Sequence, residues 1–169
     1  MIEKKEISIK SSIINELKID PTNDQLAFIT KISKFLNSDH QKDVFILKGY
    51  AGTGKTTCIS AVINAIGKFR MRSVLLAPTG KAAKVMNQFS GKSASTIHRK
   101  IYQRTLAKDG NIHFGLAANL HTNTIFFVDE ASMIQTYSGI TDGGSNYRNL
   151  LEDLFEFIYS GKNCKLVLI

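Results

Sequence analysis

The sequence has few of the features that mark secreted, membrane-bound or disulfide-stabilised proteins. Its 169 residues include only two cysteines, Cys58 and Cys164, which is too few for a disulfide framework or a metal site. No apolar run approaches the length of a membrane span, and the charged start MIEKKEISIK lacks the apolar core of a signal peptide. The histidines His40, His113 and His121 show no metal-ligand spacing. We therefore expect a cytoplasmic protein in a reducing compartment, with no membrane partner.

Internal repeats and low-complexity segments are also missing, which leaves an ordinary globular composition. With 43% hydrophobic and 21% charged residues, a chain of this length can bury the core of one domain. The formal net charge of +8 comes from 22 Lys and Arg against 14 Asp and Glu. This excess favours a polyanionic partner, although a basic balance alone is a weak indication.

The first 40 residues contain one short alternating pattern and one clear helical pattern. The alternation of Ile7 and Ile9 predicts a short strand, and SSIINELK predicts one or two helical turns before Pro21. After the N-cap candidate Thr22, apolar residues recur at helical spacing through TNDQLAFITKISKFL. We expect a helix there.

The rest of the chain alternates buried strands with helices. Helices are predicted from Thr56 to Gly67 and from about Gly80 to Phe89, where Met86 and Phe89 are expected in the core. The predicted strands are DVFILK, SVLLA, NTIFFV and CKLVLI. Because each strand is apolar along its length, this pattern predicts an α/β fold whose parallel sheet carries helices on both faces. The expected loops are 105–122 and 135–147.

A phosphate-binding loop follows the first of these strands. Gly49, Gly54, Lys55 and Thr56 match G-x-x-x-x-G-K-[ST] between a strand and a helix. Such glycines let backbone N–H groups and a helix N-terminus surround phosphate oxygens. Lys55 would reach the β- and γ-phosphates and the Thr56 hydroxyl would bind Mg²⁺; the alternative is a glycine-rich turn that binds nothing. The nucleotide-binding candidates in this loop are Gly49, Ala51, Gly52, Thr53, Gly54, Lys55, Thr56 and Thr57.

An acidic pair follows the strand IFFV, at the edge where ligands of open α/β sheets bind. Asp129 would hold Mg²⁺ together with Thr56, and Glu130 would orient or deprotonate the attacking water. Lys55, Asp129 and Glu130 are thus the catalytic candidates, and ATP with Mg²⁺ the expected cofactors. The alternative is an acidic pair that only complements a helix dipole.

Two further stretches, APTGKAAKVM (77–86) and SASTIHRKIY (93–102), give the sequence a family resemblance. Gln25 and GYAGTGKTT precede these two stretches and DEAS follows them, and in that order the five elements resemble the N-terminal motor domain of superfamily 1 DNA helicases in the RecD-like and Dda-like branch. The resemblance covers roughly residues 20–169. It implies a P-loop NTPase fold of the RecA-like type.

The resemblance also implies roles outside the phosphate loop. Gln25 would read the adenine edge, although its position three residues after Thr22 also suits a capping box. Single-stranded DNA would lie against both motifs, so the DNA-binding candidates are Pro78, Thr79, Gly80, Lys81, Thr96, His98 and Arg99. Hydroxyls, cations and a helix N-terminus suit phosphate contacts. Lys81 on a solvated helix face and a structural role for His98 remain open.

The expected organisation is one motor domain over residues 1–169. It has an N-terminal extension (1–20) and a hairpin (103–121) signalled by Asp109-Gly110. The resemblance implies that this hairpin is a strand-separating pin; the alternative is a surface loop. The resemblance also implies a second motor domain beyond Ile169, which would supply the arginines that stabilise charge on the γ-phosphate.

These expectations predict an ATP-dependent DNA helicase that couples hydrolysis to movement along single-stranded DNA. The alternative is a non-motor ATPase that acts as a nucleotide-gated switch or loader. A nucleotide kinase is less favoured, because the sequence contains no arginine-rich lid.

Overall fold

The computed structural model describes residues 2–40, 42–50, 52–106, 112–134 and 149–169. The helices of this part of the chain are α1 (Ile2–Leu17), α2 (Asn23–Asn37), α3 (Lys55–Ile66), α4 (Gly80–Ser90), α5 (Ile97–Ile101) and α6 (Leu150–Ser160). The strands are β1 (Val44–Ile46), β2 (Arg72–Ala77), β3 (Ala94–Thr96), β4 (Tyr102–Leu106), β5 (Ile112–Leu116), β6 (Thr122–Val128) and β7 (Lys162–Leu168). None of these helices is long and apolar enough to cross a membrane.

Five of the strands form one sheet in the order β1-β7-β6-β2-β3. All four neighbouring pairs are parallel, so the carboxyl ends of the five strands lie at one edge of the sheet. The predicted parallel α/β sheet is confirmed, with β2, β6 and β7 at the expected strands. Strand β3 and helices α5 and α6 were not predicted.

Alternate residues of β6 point into two separate hydrophobic cores. Ile125 and Phe127 pack with residues of α1, α2, α3 and α4 on one face of the sheet. Phe126 and Val128 pack with residues of α5 and α6 on the other face. Because successive side chains of a strand point to opposite faces, an uninterrupted apolar strand is what a sheet covered on both faces requires. The expected burial of the IFFV strand on both faces is confirmed.

The predicted strand at Ile7 and Ile9 is wrong, because both residues lie in α1. Ile9, Ile13 and Leu17 are buried at intervals of four residues, whereas Ile7 is 63% exposed. Spacing of four places side chains on one helix face, and a single alternation is too short to outweigh that longer period. The helical interpretation of SSIINELK is confirmed as the second half of α1.

Strand β1 is present where DVFILK predicted a strand, but its predicted burial is wrong. Val44 and Phe45 are half-buried and Ile46 is 57% exposed. Within the described residues β1 pairs with β7 alone, so it is an edge strand. The Leu47 N–H donates to the Leu168 carbonyl at 2.8 Å, which extends this pairing to the start of the phosphate loop.

Helix α2 begins after Thr22, as predicted, and a buried lysine fixes its other end. The Lys165 Nζ donates to the carbonyls of Phe35 at 2.7 Å and Ser38 at 2.6 Å, and to the Ser38 hydroxyl at 2.9 Å. Since the last carbonyls of a helix lack intrahelical donors, Lys165 caps α2 from β7. This contact anchors the helix that carries Gln25.

Strands β4 and β5 form an antiparallel hairpin with Tyr102 opposite Leu116. The hairpin expected within 103–121 is therefore present and begins one residue earlier. Its predicted Asp109-Gly110 turn lies outside the described residues, as does the expected loop 135–147.

Candidate functional site

The phosphate loop joins β1 to α3 and bends at two glycines. Gly52 and Gly54 have φ angles of +79° and +82°, a region that glycine enters without steric cost. Gly54 is the N-cap of α3, and no side chain among the described residues caps this helix. The first N–H groups of α3 are thus available to a ligand, as in sites that bind anions at helix N-termini.

Lys55 lies across the mouth of this loop. Its Nζ donates to the Gly49 carbonyl and, at 2.7 Å, to the Tyr50 carbonyl. The Thr53 hydroxyl donates to the same Tyr50 carbonyl at 2.9 Å. A Cβ at Gly49 would stand 3.3 Å from Thr53 Oγ1, so glycine allows the loop to close tightly. Thr56 and Thr57 follow on the exposed first turn of α3, and Ala51 lies outside the described residues.

The acidic pair lies directly beyond the carboxyl end of β6. The Asp129 N–H donates to the Leu76 carbonyl at 3.0 Å, and the Asp129 Oδ1 accepts the Glu130 N–H at 3.0 Å. Glu130 is exposed and has a φ of +54°, an uncommon conformation for a residue with a Cβ. Strain of this kind clusters at functional sites.

Asp129 is half-buried, and its burial raises the pKa of its carboxyl group. The hydrogen bond from the Glu130 N–H lowers this pKa, the Glu130 charge raises it and the Lys55 charge lowers it. The contribution from Lys55 indicates that the phosphate loop and the acidic pair are electrostatic neighbours. This proximity follows from the sheet, because β1 and β6 flank β7.

A cleft of about 320 Å³ lies between the phosphate loop and the first turns of α2. Gln25 and Phe28 contribute to its wall from α2, and Leu47, Tyr50 and Cys58 from the opposite side. The capping box that was the alternative role for Gln25 is formed: the Gln25 N–H donates to Thr22 Oγ1 at 3.3 Å, and the Thr22 N–H donates to Gln25 Oε1 at 3.0 Å. The cleft has the mixed apolar and polar lining that a nucleotide base requires.

Sequence reasoning missed Phe28 and Tyr50 as cleft residues. Phe28 packs edge-to-face on Phe45, with ring centroids 5.9 Å apart, and Tyr50 is 89% exposed. The signal for Phe28 was its helical spacing of three residues from Gln25.

The two motifs expected to contact DNA follow neighbouring strands. Ala77, the last residue of β2, is in register with Thr96, the last residue of β3. Thr79 Oγ1 caps α4 by accepting the Ala82 N–H at 3.2 Å, and Thr96 Oγ1 caps α5 by accepting the Arg99 N–H at 3.3 Å. Each hydroxyl keeps its proton for a further acceptor.

The remaining DNA-binding candidates lie at or next to the starts of α4 and α5. Pro78 is half-buried, and the exposed candidates are Thr79, Gly80, Lys81, His98 and Arg99. The His98 ring contacts the Tyr102 ring, with centroids 5.7 Å apart. The core positions expected for Met86 and Phe89 are confirmed, since Met86 is fully buried and Phe89 packs half-buried against the core.

A phosphate loop, an acidic pair and two capped helix starts at one edge of a parallel sheet define the P-loop NTPase class of α/β proteins. The sequence matches the AAA domain family over residues 33–141, and the chain belongs to that family. It is 43% identical over 54 residues to the ATP-dependent RecD2 DNA helicase of Deinococcus radiodurans, covering 32% of this chain and 8% of that protein. It is 34% identical over 90 residues to the ATP-dependent DNA helicase dda of Enterobacteria phage T4, covering 52% of this chain and 20% of that protein. The resemblance to the RecD-like and Dda-like branch of superfamily 1 is confirmed.

Proposed function

We propose that this chain is the ATP-binding motor domain of a longer ATP-dependent DNA helicase. The supporting observation is that the phosphate loop, the acidic pair and both DNA motifs follow strands of one sheet and emerge at its carboxyl edge. Ligands of open α/β sheets bind at this edge. The two relatives described above are named ATP-dependent DNA helicases, and the aligned stretches cover 8% and 20% of their lengths.

ATP would lie with its phosphates in the loop and its base in the cleft beside Gln25. The loop suits a polyphosphate, because it combines positive-φ glycines with a helix start that has no side-chain cap among the described residues. We expect the Lys55 ammonium to exchange its carbonyl acceptors for the β- and γ-phosphate oxygens. Gly49, Ala51, Gly52, Thr53, Gly54 and Thr57 would surround the same phosphates.

Hydrolysis would use the residues that face the γ-phosphate. The Thr56 hydroxyl and the Asp129 carboxylate would hold Mg²⁺, which neutralises phosphate charge when it is bound. Glu130 would orient the attacking water from its exposed position next to Asp129. Such positioning and charge stabilisation supply most of the catalysis in phosphoryl transfer.

Single-stranded DNA would cross the starts of α4 and α5. The Thr79 and Thr96 hydroxyl protons and the Gly80 N–H are suited to phosphate oxygens, and Lys81 and Arg99 add positive charge. His98 could stack on a base or contact the backbone. The DNA and nucleotide surfaces are linked through β2 and β6, since Asp129 is hydrogen-bonded to Leu76 three residues before Thr79.

A second motor domain outside this chain would complete the DNA track. The β4-β5 hairpin of this chain would act as the strand-separating pin. The chain would then constitute a single motor domain, with residues 1–20 as its N-terminal extension.

The proposal is tested by titrating a labelled single-stranded oligonucleotide with the 169-residue chain at several salt concentrations. Each neutralised phosphate should contribute about −0.7 to the slope of log affinity against log salt. We expect weak binding, a shallow slope and little sequence preference, with affinity reduced by Lys81→Ala with Arg99→Ala. No binding at low salt would favour the nucleotide-gated switch instead.

A further inference from the structure

The half-buried Gln25 side chain lies between the backbone of Thr22 and the phosphate loop. Its role in reading a base rests on the proposed binding of ATP in the cleft. On one side, Gln25 Oε1 accepts the Thr22 backbone N–H at 3.0 Å. On the other side, Gln25 Nε2 lies above the phosphate loop, where a Cβ at Gly54 would stand only 2.8 Å from it.

The hydrogen bond from the Thr22 N–H determines which end of the Gln25 amide lies over the loop. A backbone N–H can only donate, so the atom that it contacts must be the oxygen of the amide. The Nε2 group is therefore the end that lies over the loop, and one lone pair of Oε1 remains available. An amide in this orientation can donate to N7 and accept from the N6 amino group of adenine, the bidentate pattern by which glutamine recognises that base. Guanine carries an acceptor where adenine carries the amino group, so the same orientation disfavours guanine.

We propose that Thr22 is a positioning residue for base selection, because its backbone N–H fixes the Gln25 amide in the adenine-selective orientation. The capping box thus has two roles: it caps α2 and it orients the group that reads the base.

The two halves of the capping box can be removed separately. Thr22→Val deletes the hydroxyl that caps the helix and keeps the backbone N–H. Thr22→Pro deletes both, and the Thr22 φ of −66° is the angle that proline adopts. Thr22→Ser keeps both, and Gln25→Glu keeps an acceptor for the Thr22 N–H but removes the Nε2 donor.

The experiment compares Mg–ATP with Mg–GTP binding to the 169-residue chain by calorimetry. We expect the wild type, Thr22→Ser and Thr22→Val to prefer ATP by about 5-fold to 150-fold, the range of one bidentate contact. Thr22→Pro and Gln25→Glu should lose most of this preference, as should Gln25→Ala. Thr22→Val should lower the thermal unfolding midpoint, because it removes the hydroxyl that caps α2, without altering the preference. An unchanged preference in folded Thr22→Pro, with loss in Gln25→Ala, would overturn the positioning role.

A second measurement uses the wild-type chain and does not depend on a variant folding. Hydrogen exchange of the Thr22 amide should be slow and should stay slow or become slower when Mg–ATP is added. Faster exchange on addition of Mg–ATP would mean that Gln25 leaves Thr22 to reach the base, and would overturn the inference. Failure of the proposed function is distinct from both results, because the wild type would then bind neither nucleotide.

Discussion

The Tyr102 hydroxyl donates a 2.6 Å hydrogen bond to Oδ2 of Asp153, a residue of α6 that is only 3% exposed. Tyr102 is the first residue of the β4-β5 hairpin, and the Ala117 N–H at the end of the hairpin donates to the Ile101 carbonyl at 2.7 Å. The base of the hairpin is thereby fixed to the body of the domain, next to the DNA-binding candidate His98.

Tyr102→Phe should lower the free energy of unfolding by about 1–3 kcal/mol, because it leaves a buried carboxyl oxygen without this donor. In the longer protein, we expect it to reduce duplex unwinding more than single-stranded DNA-stimulated ATP hydrolysis. Chemical denaturation and paired unwinding and hydrolysis assays measure the two effects. The matched control is Tyr159→Phe, which removes a hydroxyl bonded to the Asp43 carbonyl at 2.9 Å. Equal loss of unwinding in both variants would contradict a specific role for the hairpin base.

Glu130→Gly should stabilise the folded domain and, in the proposed longer helicase, abolish ATP hydrolysis. The positive φ of Glu130 costs about 1–2 kcal/mol for a residue with a Cβ. Glycine removes this cost but loses more conformational entropy on folding, which destabilises the folded state by about 0.5–1 kcal/mol. We therefore expect a gain of roughly 0.5–1 kcal/mol by denaturant unfolding. Glu130→Ala removes the same carboxylate and keeps the strain, so it should abolish hydrolysis without this gain. Equal stability of the two variants would show that the backbone is not strained there.

Lys165→Met should destabilise the domain by about 1.5–3 kcal/mol, the contribution of a hydrogen bond from a charged donor, although the Phe35 carbonyl keeps the N–H and hydroxyl of Ser38 as donors. Lys165 is 6% exposed and caps the carbonyls of Phe35 and Ser38. Lys162→Met on the same strand is the control, because Lys162 is exposed and exposed substitutions change stability by about 0.5 kcal/mol or less. Equal midpoints in thermal unfolding would disprove the capping role.

The sequence predicted the parts of the fold that depend on local patterns. The spacing of Thr22 and Gln25 offered the capping box as an alternative because this motif involves only near neighbours, and IFFV predicted a strand buried on both faces. Strand order is a tertiary property, so the edge position of Ile46 could not be predicted. Strand β3 (Ala94–Thr96) has only three residues and no large apolar side chain, which leaves no periodicity to detect.

In the candidate site, too, the residues of local motifs were predicted and the contacts between distant residues were not. The loop motif gave Lys55 and Thr56 directly, whereas the approach of Gln25 Nε2 to Gly54 joins residues 29 positions apart (54 − 25) and requires the folded sheet. The Tyr102–Asp153 contact joins residues 51 positions apart and has no local pattern to predict it.

The chain alone should turn over ATP far more slowly than the proposed longer helicase. Its sequence has no motif recognisable as an arginine finger, and Arg99 and Arg104 lie in the candidate DNA-binding motif and in the β4-β5 hairpin. A missing finger costs about 10³–10⁵ in rate. Steady-state hydrolysis with and without single-stranded DNA measures this difference, and comparable stimulated rates would show that the finger lies within these 169 residues or comes from self-association.

The central claim, that the loop after β1 is a nucleotide site built around Lys55, is tested most directly by calorimetric titration of the 169-residue chain with Mg–ATP. Wild type and Lys55→Ala are compared with Lys31→Ala, which removes the same charge from an exposed position of α2. The account predicts saturable binding of about one ATP per chain for wild type and Lys31→Ala, and at least about tenfold weaker binding for folded Lys55→Ala, since a charged hydrogen bond contributes about 1.5–3 kcal/mol. Equal affinities for Lys55→Ala and wild type would contradict it.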